Sequence, residues 1–337
     1  MALLVYTHDV CWLHDSGHQH PERPARLDAA LKGIAASGRQ SVRIEAPLVE
    51  RVALQRVHTP SYIARIEEFC LRGGGALDPD THAGEESWEA ALRSAGAGLA
   101  AMAALREEEG DAAFIAVRPP GHHALAARAM GFCLFNNIAV AAADAVARGE
   151  RVAIVDWDVH HGNGTQDMFF DEPAVLYVSA HEYPQYPGTG RLDEIGSGGA
   201  VGTTINLPVP TGTQGDVYRA AFERLIVPAV TQFNPDWIFV SAGYDAHAAD
   251  PLAGLRLVPD DYAYMSGALA GAIPASRIVF YLEGGYDLRA ISESVAATVD
   301  GLSGSGGVAP SGGSSPKAAW RVLMDAKRLA SRYWDLD

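Results

Sequence analysis

Short, wholly apolar runs alternate along this chain with longer stretches in which apolar residues recur every three to four positions. The runs LLVY (3–6), AFIAV (113–117), VAIV (152–155), VLYVS (175–179), TINLP (204–208), WIFVS (237–241) and IVFYL (278–282) predict strands. The stretches 23–36, 60–72, 86–107, 137–149, 216–231, 260–272 and 288–301 predict helices. Uninterrupted apolar strands separated by helices are the pattern of a parallel sheet covered on both faces, so the expected class is α/β. The uncharged, Gly/Ser-rich segment 302–316 reads as a flexible loop, and 317–337 has the spacing of a C-terminal helix docked on the body. Nothing else reads as a linker and no internal repeat is found, so one domain spanning residues 1–337 is expected.

The polar residues fall at one kind of place. AFIAV is followed by RPPGHH, VAIV by DWDVHHGNG, VLYVS by AHEYPQYPGTG, WIFVSAG by YDAHAAD and IVFYL by EGGYD. In a parallel α/β sheet the ligand crevice lies beyond the carboxyl ends of the strands. These segments are therefore expected to gather His122, His123, Asp156, Asp158, His160, Asp245 and Tyr286 around one crevice.

Within DWDVHH, alternate residues of an extended segment point the same way, so Asp156, Asp158 and His160 share a face. Carboxylate oxygens and an imidazole nitrogen suit Zn²⁺, and three protein ligands with one open position is the pattern of a catalytic site. Asp158 and His160, with Asp245 from another strand end, are the expected set. Adjacent imidazoles at His122 and His123 would serve as general base and acid beside such a metal. The Tyr286 hydroxyl, held after two glycines, would donate to a developing oxyanion.

The 337 residues carry a net charge of −15, which disfavours direct nucleic-acid binding and suits cationic substrates. No apolar run approaches the ~18 residues of a membrane span. MALLVYTHD has no basic region before its apolar residues and reads as a first strand rather than a signal peptide. Three cysteines without a paired motif argue against disulfides and for the cytoplasm.

The motifs HPERPARL (20–27), RPPGHHA (118–124), GFCLFNN (131–137), DWDVHHGNGTQ (156–166), YPGTG (186–190), SAGYDAH (241–247) and LEGGYD (282–287) resemble, in order, those of the zinc-dependent histone deacetylase family. The likeness is closest to its class II-like bacterial members, the histone deacetylase-like amidohydrolases and acetylpolyamine amidohydrolases. The resemblance implies an arginase/deacetylase-like open three-layer fold around a mainly parallel sheet of about eight strands. It implies Zn²⁺ on Asp158, His160 and Asp245, with Fe²⁺ as the alternative ion. His122 oriented by Asp156, His123 paired with Asn163, and Tyr286 would be catalytic. His20, Gly131, Phe132, Tyr186 and Leu252 would line a substrate channel. A structural K⁺ or Na⁺ would be held by Asp156, Asp158, His160, Ser179 and Ala180.

The activity implied is hydrolysis of an acetylated amine, either an acetyl-lysine peptide or an acetylpolyamine, with release of acetate. Leu252 stands where polyamine-selective relatives carry an acid, and Asp15, Glu22, Glu85 and Glu86 are the candidate acids for the channel mouth. Asn163 replaces an acid found in many relatives, so His123 is expected to have the lower pKa of the two histidines. Three further readings stay open. One is a dinuclear manganese hydrolase, suggested by DAHAAD. Another is a non-catalytic acyl-lysine-binding protein, which would need the site residues to be lost. The third is assembly into a homo-oligomer.

Overall fold

The computed structural model describes residues 2–303 and 313–336. The strands are β1 (Leu3–Thr7), β2 (Ser41–Glu45), β3 (Gly75–Ala76), β4 (His82–Ala83), β5 (Ala112–Ile115), β6 (Val152–Asp156), β7 (Val175–Glu182), β8 (Thr204–Val209), β9 (Trp237–Ala242) and β10 (Ile278–Leu282). Eight of them form one sheet in the order β2-β1-β5-β10-β9-β6-β7-β8, and every pairing is parallel. Strands β3 and β4 form a small antiparallel hairpin. β5, β6, β9 and β10 are buried at every residue, as their continuous apolar sequences require.

Edge strand β2 escaped the pattern. It is the polar run SVRIE, and Val42 is 49% exposed, so it lacks the signature of a strand covered on both faces.

The helices are α1 (Val10–Leu13), α2 (Ala25–Ala36), α3 (Arg51–Leu54), α4 (Pro60–Leu71), α5 (Ser87–Arg106), α6 (Asn137–Ala147), α7 (Asn163–Phe169), α8 (Gly215–Ala221), α9 (Val227–Phe233), α10 (Pro259–Ala272), α11 (Leu288–Gly301) and α12 (Lys317–Ala330). The helix expected over 216–231 is split. A π-helical turn, Phe222–Ile226, separates α8 from α9, and Pro228 lies just beyond it. Proline lacks the N–H for the regular bond and its ring crowds the preceding turn, so the helix cannot run through unchanged. In α12, Ala319, Leu323, Ala326 and Ala330 recur every three or four residues and are buried beside β8. Most of the Gly/Ser segment expected as a flexible loop, residues 304–312, lies outside the described residues. Among the described residues no helix is long and apolar enough to cross a membrane.

Candidate active site

β5, β10, β9, β6 and β7 are consecutive in the sheet, and the polar segments follow their carboxyl ends. Asp156 ends β6, Asp245 lies three residues past β9, and Tyr286 lies four past β10. A cavity of ≈ 240 Å³ opens there, with His122, His123, His160 and Tyr286 among its walls. Gly131, Phe132 and Tyr186 line it too, while Asp80, Gln185 and the 38% exposed Leu252 add polar and apolar groups. His20 stands one layer back, its ring edge-on to Phe132 at 4.5 Å.

Asp158, His160 and Asp245 are buried, and one potential ligand atom from each lies within 4.8 Å of the others. His160 Nδ1 is 3.2 Å from both Asp158 Oδ1 and Asp245 Oδ2. The opposite oxygens are fixed by backbone donors: Gly284 N–H donates to Asp158 Oδ2 (2.7 Å) and Val159 N–H to Asp245 Oδ1 (2.9 Å). Asp245 Oδ2 receives no well-aligned hydrogen bond. Burial opposes a charge on His160, yet the two carboxylates beside it push its pKa up to about 10. A buried oxygen–nitrogen–oxygen set that draws positive charge so strongly fits a divalent metal. Gly284 is required for the close approach, since a Cβ there would lie 2.0 Å from Asp245 Oδ2.

The two histidines of RPPGHH differ in their supports. His122 Nδ1 donates to Asp156 Oδ2 (3.0 Å), which also accepts the Tyr177 hydroxyl (3.2 Å). Burial lowers the His122 pKa, but Asp156, Asp158 and Glu283 outweigh it and push it up to about 10. His123 Nδ1 is 2.8 Å from Asn163 Oδ1, and Asn163 Nδ2 points to the His123 carbonyl (3.4 Å). That amide orientation assigns the proton of neutral His123 to Nδ1 and leaves Nε2 as the lone pair. Burial, then the positive charges of His122 and His160, hold His123 well below the usual histidine range. His123 thus lies below His122, but burial and the neighbouring charges set that order, while the bond to Asn163 acts in the opposite direction.

The second histidine pair divides. His161 turns from the cavity, bonding Thr189 Oγ1 (2.8 Å) and Gln166 Oε1 (3.0 Å) and packing on His181. Gly131 and Phe132 both adopt positive φ, +57° and +67°. A Cβ on Gly131 would lie 2.3 Å from the His123 ring. For Phe132 this conformation costs about 1–2 kcal/mol, and its N–H is held by Thr81 Oγ1 (3.0 Å).

Where a monovalent ion was expected, β6 and β7 place Asp156 in register with Ser179. Ser179 Oγ bonds His181 Nδ1 (2.9 Å), and the Ala180 carbonyl accepts the Tyr218 hydroxyl (2.9 Å).

A model of the histone deacetylase domain matches residues 20–302. The chain belongs to the histone deacetylase family. It is 39% identical over 296 residues to a histone deacetylase-like amidohydrolase of Pseudomonas aeruginosa, covering 86% of this chain and 78% of that one. It is 35% identical over 357 residues to a probable deacetylase of Archaeoglobus fulgidus, covering 99% of each. The solved HDA15 HD domain superposes with a TM-score of 0.90 at 36% identity over 99% of this chain and 97% of that one. The family's arginase/deacetylase fold is thus the fold of this chain, and its chemistry is that of a deacetylase hydrolase.

Sequence reasoning misjudged the acids near the cavity. Glu22 is wholly buried, accepting Arg118 Nη2 (2.6 Å) and Arg26 Nη1 (2.9 Å), so it cannot serve the mouth. Asp80 lines the cavity instead. The DPDT turn carried no chemical signal, because only the fold of the β3–β4 hairpin brings it to the cavity. Glu283 and Asp250 were also missed. Glu283 Oε2 accepts the N–H groups of Gly121 (2.7 Å) and His122 (3.1 Å), holding the backbone that carries both histidines. Asp250 binds the backbone of Tyr286. The second aspartate of DAHAAD was the signal available for it.

Proposed function

We propose that this protein is a zinc-dependent amidohydrolase that removes acetyl groups from acetyl-lysine-type amines and releases acetate. The observation that carries the reading is one cavity whose walls include His123, Tyr286 and His160, the last of these clustered with the buried carboxylates of Asp158 and Asp245 behind the wall. Zn²⁺, or Fe²⁺, held by those three residues would supply a Lewis acid for the substrate carbonyl and for water.

The remaining work falls to this chain's side chains. His123 Nε2 takes a proton from the attacking water, and Asn163 keeps the tautomer that leaves Nε2 bare. Tyr286 donates its hydroxyl proton in a hydrogen bond to the carbonyl oxygen as negative charge develops there. His123 then gives its proton to the departing amine. His122 stays bonded to Asp156 and supplies positive charge beside the reacting centre. Phe132 and Tyr186 exclude water from the acyl-lysine stem, and Gly131 lets His123 lie close to it. Leu252 meets the substrate where it emerges. A structural K⁺ or Na⁺ on oxygens of Asp156, Asp158, His160, Ser179 and Ala180 would brace the β6–β7 end.

A second reading, deacetylation of acetylpolyamines, is favoured by Asp80 in the cavity wall and by the net charge of −15. The test compares kcat/KM on an acetyl-lysine peptide and on N-acetylputrescine with zinc-loaded protein. A peptide preference above about a hundredfold, roughly 2.7 kcal/mol of transition-state binding, is the expected outcome. A polyamine preference of that size would transfer the assignment to the second reading. Turnover of neither would overturn both.

A further inference from the structure

Asp250 stands outside the cavity wall, 7% exposed, and forms no ion pair among the described residues. Its carboxylate is nonetheless fully employed. Oδ2 accepts the N–H groups of Tyr286 (2.7 Å) and Asp287 (3.4 Å), while Oδ1 accepts that of Leu252 (3.0 Å). Among side chains of this length only a carboxylate offers an acceptor at both ends. An amide can serve one end only, and presents a donor to the other. A buried carboxylate without a cation is a costly choice for merely filling space, so the double acceptor is the feature to explain.

Tyr286 sits on the connection between β10 and α11, with no ladder or helix to hold it. Preceding Gly285 has φ +115°, open to a wide range of backbone rotation. The ring is held from the sides: the Arg26 guanidinium lies 5.1 Å over it, and Phe132 meets it edge-on at 6.0 Å. Neither contact fixes how far the residue projects along its own axis. Asp250 is the acceptor for the Tyr286 N–H, and it alone ties that N–H to another element. The same carboxylate carries Leu252, so the two walls of the cavity hang from one side chain.

We propose that Asp250 is a positioning residue that sets the Tyr286 hydroxyl at its working depth in the cavity and ties it to Leu252. The proposal rests on the reading of Tyr286 as the donor to the substrate carbonyl. Displacement of such a donor by about 1 Å is enough to cost on the order of a hundredfold in rate.

The test is a double-mutant cycle of Asp250→Ala and Tyr286→Phe on zinc-loaded protein, reading kcat and KM for an acetyl-lysine peptide together with bound zinc. Asp250→Ala is expected to lower kcat by about tenfold or more in the parent. In the Tyr286→Phe background it should cost less than about twofold, because there is no hydroxyl left to misplace. KM and zinc content should change little in either case. Asp250→Asn, which keeps the volume and one acceptor, should fall between parent and Ala, and carries the same cycle if the Ala variant does not fold. An equal loss in both backgrounds, or an unchanged kcat, would overturn the proposal while leaving Tyr286 in its role. If Tyr286→Phe itself keeps near-parent turnover, the reading of Tyr286 falls, and the proposal with it.

Discussion

Two groups of buried charge lie within the same sheet end and are treated in opposite ways. Around Glu22 every charge is answered. Arg118 and Arg26 bind the carboxylate, and the remaining guanidinium N–H groups of Arg118 reach the carbonyls of Cys11 and His14 and the Ser16 hydroxyl. Arg26 also donates to the carbonyls of Gly285 and Glu283. Burial would raise the Glu22 pKa, but the two arginines hold it well below the usual carboxylate range. Around His160 the account is left open. Two carboxylates face one imidazole, and Asp245 Oδ2 has no aligned donor. The difference separates scaffold from site. A network satisfied within the chain has nothing left to offer a ligand, whereas one that turns uncompensated negative charge toward a cavity is built for a cation.

The sharpest break comes from the open group. Asp158→Asn should abolish high-affinity metal binding and lower turnover by roughly a thousandfold or more, while leaving the melting temperature of the metal-free protein close to that of the parent. Metal content and calorimetry read the two halves separately. Retained metal and turnover would remove Asp158 from the ligand set.

The closed group should answer in the reverse way. Glu22→Gln leaves two buried guanidinium groups without their carboxylate, and is expected to cost about 3–5 kcal/mol of stability. Denaturant unfolding should show it, with metal affinity of the folded protein retained. A near-parent midpoint would mean that the network is not a stabilising scaffold.

Tyr286→Phe is expected to cost about 10²–10³ in kcat with zinc content unchanged, as read by steady-state kinetics and metal analysis. Near-parent kcat would place carbonyl polarisation elsewhere.

Acid tests the closed region again. Burial lowers His14, with Glu22 opposing, to about 4 from a usual 6.5, and burial likewise lowers His58, which lies outside that network, to about 4. Below pH 6.5 the unfolded chain takes up protons that the folded chain refuses until about pH 4. The stabilisation is therefore complete above 6.5 and is lost as pH falls, by up to roughly 3 kcal/mol for each group. His14→Gln should flatten the slope of stability between pH 6.5 and 4. An unchanged slope would contradict a neutral buried His14.

The smallest effect concerns the pair of catalytic candidates. Asn163→Asp puts a carboxylate on His123 Nδ1 and should move the acidic limb of kcat/KM upward by roughly one pH unit. No movement would show that His123 is not the base whose ionisation limits the reaction.

The two regions were not equally legible. The strands of the open region are wholly apolar and end in Asp, His and Gly clusters, so pattern alone located them and the resemblance supplied roles. The closed region was misread because Glu22, in HPERPARL, is indistinguishable in sequence from a surface acid. Its burial follows from Arg118 and Arg26, and Arg118 is ninety-six positions away. Edge strand β2 was lost for the opposite reason: exposed on both sides of SVRIE, it has no apolar period. Asp80 was illegible as a site element because its role depends on which turn the fold brings beside the cavity, and DAHAAD marked Asp250 without showing that it would hold the backbone of Tyr286. The division of His160 from His161, by contrast, was anticipated by the alternation in DWDVHH, which set His160 on the face of Asp158 and His161 on the other.

Acetate release from an acetyl-lysine peptide, followed through chelation and stoichiometric return of Zn²⁺, tests the central claim most directly. Activity that vanishes on metal removal and returns with one equivalent of Zn²⁺ per chain is the predicted result. Acetate release unaffected by chelation, or none from metal-loaded protein with either the peptide or N-acetylputrescine, would contradict it.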